Sequence, residues 1–184
     1  CGLKLYWTLL DGHSQEISNE QVSRTILREP DATARFADRV AAPLARRLDP
    51  HLTVAVEVVN EPEVLVRNDA LGEDAPSQWR SYATSIKVIT DAIRSQRDFL
   101  VTAGSTRSAL PLLWRSAPGL DAIDVHLDSG STLPSRAEID ADLQMPPDLA
   151  GSLPLLVGSA GPLTSTMNHL DYAAIFVSVT NPER

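Results

Sequence analysis

Leu52-Thr53-Val54-Ala55-Val56-Glu57-Val58-Val59, ended by Asn60-Glu61-Pro62, is the stretch on which the fold turns. An apolar, β-branched run of this length with a proline stop reads as a strand buried on both faces, as in a parallel sheet. Outward from it, short apolar runs alternate with longer amphipathic stretches, the pattern of βα units. Upstream, Leu3 to Leu10 reads as a strand ended by Asp11-Gly12-His13. Between these strands Phe36, Val40, Leu44 and Leu48 recur every four residues. A helix is predicted there, kinked or restarted at Pro43.

Downstream, Trp79, Tyr82, Ile86, Ile89 and Ile93 form a single stripe with 3-4-3-4 spacing. They predict a helix from about Ser77 to Gln96 that packs on the sheet. Phe99 to Ala103 reads as a third strand stopping at Gly104-Ser105, followed by a short helix from Ser108 to Arg115. Ala122 to Val125, ending at His126, is the fourth strand. Ser135 and Glu138 have the spacing of a capping box, so a helix starts there. Leu153 to Val157, ending at Gly158-Ser159, is the fifth strand, and Tyr172 to Val177 the sixth. Six βα-type units without a hairpin signal define an α/β chain. Length favours an open doubly wound sheet, because a full eightfold barrel takes about 250 residues. Pattern alone leaves both open.

The 184 residues, 43% hydrophobic and 22% charged, suit one globular domain spanning 1–184. A net charge of −8 argues against a nucleic-acid surface, and no apolar run is long enough to cross a bilayer. The single cysteine, Cys1, forms no internal disulfide; a lipoprotein reading is weakened because Cys1-Gly2 runs straight into an apolar strand. That opening on a strand suggests that the domain is incomplete at its N-terminal side.

In parallel α/β folds the chemistry gathers at the carboxyl ends of the strands. Those ends here carry Asp11 and His13, Asn60 and Glu61, Ser105, His126, and Ser159. Glu61 stands out: a carboxylate directly after a β-branched strand points into the mouth, where partial burial raises its pKa toward a range useful for acid catalysis. The neighbouring Asn60 amide is placed to donate to a sugar hydroxyl. His13, His51 and His169 form no ligand-spaced set, so no metal is predicted. No Gly-rich loop follows a strand, and no cofactor is expected. Gly158-Ser159-Ala160-Gly161 is not the elbow of esterases, since the serine directly follows the first glycine.

Val54 to Glu63, with Asn60-Glu61-Pro62 at its end, resembles the fourth barrel strand of clan A retaining glycoside hydrolases, the cellulase and mannanase group. The likeness continues in order. Gly2 to Gly12 resembles their third strand, Leu100 to Ser105 their fifth, Leu120 to His126 their sixth, Pro154 to Gly161 their seventh and Ala173 to Ser178 their eighth. The resemblance implies a (β/α)8 TIM-barrel type of fold covering strands 3 to 8, with Glu61 as general acid/base. It implies Asn60, His126, Asp128 and His13 as substrate-binding residues, a β-linked oligo- or polysaccharide as partner, and a secreted or cell-surface location.

The departures decide the activity. Strand seven of the group ends Gly-Glu-x-Gly, and that glutamate is the nucleophile; the position is Ser159 here. His126-Leu127-Asp128 stands where His-x-Tyr is usual, and no tryptophan occupies strand eight. Strands one and two have no counterpart. Retaining hydrolysis needs two carboxyl groups about 5–5.5 Å apart, and a serine without a base does not replace one of them. The chain therefore reads as a pseudo-glycosidase that retains carbohydrate binding. Alternatives are an active or engineered β-glycosidase or glycosynthase using Glu61, and a scaffold whose protein partner supplies or covers the missing strands. Trp7, Trp79 and Trp114 fall inside predicted strands or helices and read as core.

Overall fold

Strand Thr53–Asn60 (β2) forms where expected, and every residue from Ala55 to Val59 is buried. In this computed structural model, residues 4–12, 17–67, 75–116, 119–127, 134–144 and 153–160 are described. Strand Leu5–Asp11 (β1) leads to helix Ile17–Arg28 (α1). Helices Pro30–Phe36 (α2) and Ala42–Arg47 (α3) then run into one another through a π-helical turn, Ala37–Ala41. After β2 come helix Pro62–Arg67 (α4), helix Ala75–Arg94 (α5), strand Val101–Thr106 (β3) and helix Leu110–Ser116 (α6). Strand Ile123–Leu127 (β4), helix Arg136–Leu143 (α7) and strand Leu155–Ala160 (β5) follow. The predicted sixth strand, Tyr172 to Val177, lies outside the described residues.

All four strand pairings are parallel, and the order is β1-β2-β3-β4-β5. The α/β class with a parallel sheet is as the sequence reading had it. Because the order rises without a reversal, right-handed crossovers carry the connecting helices to one face of the sheet. That face is apolar. Val56 and Val58 of β2 and Val101 and Ala103 of β3 pack with Trp79, Tyr82, Ile86, Ile89 and Ile93, the whole predicted stripe of α5. Each of these large side chains contributes roughly 1.5–3 kcal/mol by leaving water. Trp79 is buried, while Trp7 and Trp114 are half-buried against the core. On the other face, alternation presents Ala55, Ala122 and Leu156 in one cluster beside Tyr6 and Leu100.

Strand ends differ from the sequence reading in a consistent way: they reach further. Asp11 pairs with Asn60, Gly104 with Asn60, Ser105 with Val125, and Ala160 with Leu127. Backbone pairing continues past the last apolar side chain, which hydropathy does not register. Pro43 stands in the first turn of α3, directly after the π-helical turn, so the irregularity expected there is present. The helix passes through the proline by widening at Ala37–Ala41, one of the few ways to absorb a missing N–H. Buried Thr33, Ala37, Ala41 and Ala45 recur every four residues. On a regular helix each such step drifts by about 40°; the wide turn takes back part of that drift and keeps the stripe on one side.

The capping box forms as predicted: Ser135 Oγ accepts from the Glu138 backbone N–H, and Glu138 Oε2 accepts from the Ser135 backbone N–H at 2.7 Å. Ser135→Ala is expected to cost about 1 kcal/mol, read as a lower urea midpoint with an unchanged slope.

Candidate functional site

On the sheet face opposite the helices, side chains from three strands and a backbone N–H from a fourth converge. From β2, Glu57 is 2% exposed. Its Oε2 accepts from Thr8 Oγ1 of β1 at 2.6 Å, and its Oε1 accepts from the Gly104 backbone N–H of β3 at 3.0 Å. From β4, Asp124 and His126 are two residues apart and so share a face. Asp124 is fully buried and its Oδ2 accepts the phenolic hydrogen bond of Tyr6. His126 is 3% exposed, and its Nδ1–H donates to Glu61 Oε1 at 3.0 Å. Its Nε2 lies 3.6 Å from Glu57 Oε1 and 3.7 Å from Asp124 Oδ1.

Two glycines leave the room that this convergence needs. A Cβ on Gly104 would fall 2.0 Å from His126 Nε2, and one on Gly158 would fall 2.4 Å from Asp124 Oδ1. Glu61 sits above, at the end of β2, with φ of 46°. This left-handed backbone is uncommon for a residue with a side chain, and more so before a proline, so it stores of the order of 1–3 kcal/mol. The neighbouring strands hold it: the Glu61 N–H donates to Gly104 O, and the Gly12 N–H donates to Asn60 O.

The charges oppose and sustain one another. Burial pushes the Glu57 carboxyl up to about 7, helped by Asp124 and opposed by His126, Thr8 and the Gly104 N–H. Burial likewise raises Asp124, against His126 and Tyr6. For His126 burial works against the imidazolium, but the hydrogen bond it donates to Glu61 and the carboxylates of Asp124 and Glu57 outweigh it and lift it to about 9. Tyr6 is raised by burial and by Asp124.

Of the residues singled out by sequence, Glu61 and His126 meet. Asn60 Nδ2 donates instead to Asp11 Oδ1 at 2.8 Å, tying the ends of β2 and β1. Ser159 lies in β5, where its backbone is in register with His126 after an irregularity at Val125/His126. Ser105 turns to the helix side, buried, and donates to Glu63 Oε2 of α4 at 2.9 Å. It belongs to a structural clasp rather than to the mouth, because β3 runs on past it and alternation sends it to the other face. His13 and Asp128 lie outside the described residues.

Glu57, Asp124, Tyr6 and Thr8 escaped sequence reading. The available signal was alternation: Glu57 is the sole charge inside an apolar strand, and Asp124-Val125-His126 places an acid and an imidazole on one face. No family model and no curated protein matches this chain.

Proposed function

We propose that the chain is a barrel of the clan A glycoside-hydrolase type that binds a β-linked oligosaccharide at the carboxyl ends of its strands without turning it over by double displacement. The observation that carries this reading is the Glu61–His126 contact, which joins the ends of β2 and β4, with Ser159 in register beside His126. This register supports reading the proposed acid/base position and the proposed degenerate nucleophile position as parts of one rim.

The strand order favours a barrel over a doubly wound sheet. A doubly wound sheet reverses its order and covers both faces with helices; a barrel advances strand by strand and fills its inner face with side chains. The rising order here, and an inner face of glycines, alanines and hydrogen-bonded polar groups, fit the second description. β1 pairs only with β2 among the described residues, and its exposed Leu5 and Thr8 border an edge where a further strand would continue the closure.

Chemically, Glu61 can transfer a proton and His126 orients its carboxyl. Glu57 and Asp124 lie one layer below, 2% exposed or less, and hold their own hydrogen bonds rather than face a substrate. With serine at 159, no second carboxyl is supplied by that position for attack on an anomeric carbon.

Aryl β-glucosides and β-mannosides are expected to release nothing above buffer. β-Glucan, mannan or xylan oligosaccharides are expected to raise the melting temperature. Occupancy at ten times Kd supplies about 1.4 kcal/mol, or roughly 3–5 °C, and Asn60→Ala or Glu61→Gln should weaken binding at least tenfold. A flat thermal response to all three glycan classes overturns the proposal, and turnover that Glu61→Gln abolishes replaces it with the active-enzyme reading.

A further inference from the structure

Three buried side chains meet beneath the rim, and two of them carry an inward atom that hydrogen bonding within the protein does not account for. Asp124 and His126 each spend one end on a partner and turn the other inward, and Glu57 turns toward the same point its Oε1, which accepts only from the Gly104 N–H. Glu57 gives Oε2 to Thr8, Asp124 gives Oδ2 to Tyr6, and His126 gives Nδ1–H to Glu61. The inward atoms are Glu57 Oε1, Asp124 Oδ1 and His126 Nε2, all within 4.8 Å of one another. Of these, Asp124 Oδ1 and His126 Nε2 are buried and have no hydrogen-bond partner. The 3.6 and 3.7 Å separations are too long for hydrogen bonds. They are close to the roughly 3.4 Å that separates neighbouring ligands of a tetrahedral ion bound at about 2.1 Å.

We infer that Glu57, Asp124 and His126 form a binding site for a divalent first-row transition cation, Zn²⁺ or Mn²⁺. Two carboxylates and a neutral imidazole balance the charge of a dication, which a buried site requires. The donor set excludes soft-ion chemistry, because it contains no sulfur, and its nitrogen argues against Ca²⁺ and Mg²⁺, which prefer all-oxygen shells. The outer contacts are those that metal sites use: the ligating histidine donates its remaining N–H to a carboxylate, and each ligating carboxylate is itself hydrogen-bonded. Gly104 and Gly158 fit the same account, since a Cβ at either would collide with the inward atoms and force them apart. Thr8, which is exposed, sets the cluster one side chain away from solvent. Sequence spacing predicted no metal because the ligands come from two strands 67 residues apart, a separation that no local motif spans (Glu57 to Asp124).

The site does not depend on the carbohydrate reading, and its test contains no glycan. The chain is stripped with a chelator, dialysed and titrated calorimetrically with Zn²⁺, Mn²⁺ and Co²⁺. One equivalent is expected to bind, with a rise in melting temperature and, for Co²⁺, a visible absorption band from a low-coordinate nitrogen–oxygen shell. Glu57→Gln and His126→Gln should each weaken binding at least 100-fold, while His51→Gln leaves it unchanged. Failure to bind at about 1 mM cation overturns the inference, as does equal affinity in the Glu57 and His126 variants. If those variants do not fold, X-ray absorption of the zinc-loaded wild-type chain decides. One imidazole with oxygen ligands supports the site; a thiolate, or two or more imidazoles, overturns it.

Discussion

Gly104→Ala is expected to destabilise the chain by about 3 kcal/mol or more, at the upper end of what overpacking a core costs. The added methyl would fall 2.0 Å from His126 Nε2 and 2.5 Å from Glu57 Oε1. Neither group can retreat easily. The imidazole is held from its far side by Glu61 at 3.0 Å, and the Glu57 carboxylate by Thr8 at 2.6 Å. β3 lies between β2 and β4, so moving its backbone disturbs both pairings. At roughly 2–4 °C per kcal/mol the melting temperature should drop by about 6–12 °C. Gly119→Ala is the control: a Cβ there would meet Arg94 Nη1 at 4.0 Å, an ordinary contact, and only the cost of a φ of 110° applies. A wild-type urea midpoint for Gly104→Ala would show that the three side chains do not converge on β3.

Stability of the metal-free chain should fall as the pH rises from about 5 to 9. The folded state holds the Glu57 proton up to about 7, whereas the unfolded chain releases it near 4.5, so the native state binds the extra proton between those values. The stabilisation is complete below 4.5 and is lost as the pH passes 7. His126 acts in the same direction over a higher window: full stabilisation below 6.5, lost as the pH passes about 9. The Glu57 part is of the order of 3 kcal/mol. Because the groups touch one another, the two parts do not simply add. Urea midpoints measured in chelator at pH 5, 7 and 9 should decline in two steps, and Glu57→Gln should remove the first. A midpoint that rises between pH 5 and 7 would contradict burial of Glu57.

The sequence made the βα rhythm, the five described strands and the inward stripe of α5 readable, because each is a periodic pattern of apolar side chains. Strand ends were less readable, since Asn60, Ser105 and Ser159 continue the ladder through backbone groups although their side chains are polar. Within the site, Glu61 was legible from its place after a strand and before a proline. His126 was legible as a strand-end residue, although their mutual contact was not, as it joins positions 65 apart. Glu57 and Asp124 were hidden for a different reason. A charge inside an apolar strand looks like an interruption until the neighbouring strands, with Thr8, Gly104 and Tyr6, give it partners.

The crossing of Gly12 beneath Glu61 ties two distant letters of the sequence together. A Cβ at position 12 would lie 2.2 Å from the Glu61 carbonyl oxygen, and that oxygen is where it is because residue 61 adopts a left-handed backbone. Neither position can be varied independently of the other. A side chain becomes admissible at 12 only after residue 61 has relaxed, and relaxing 61 swings its carboxyl away from His126. The pair is therefore epistatic: any lineage or library that keeps the acid aimed at the imidazole inherits a glycine at 12, whether or not that glycine ever meets a ligand.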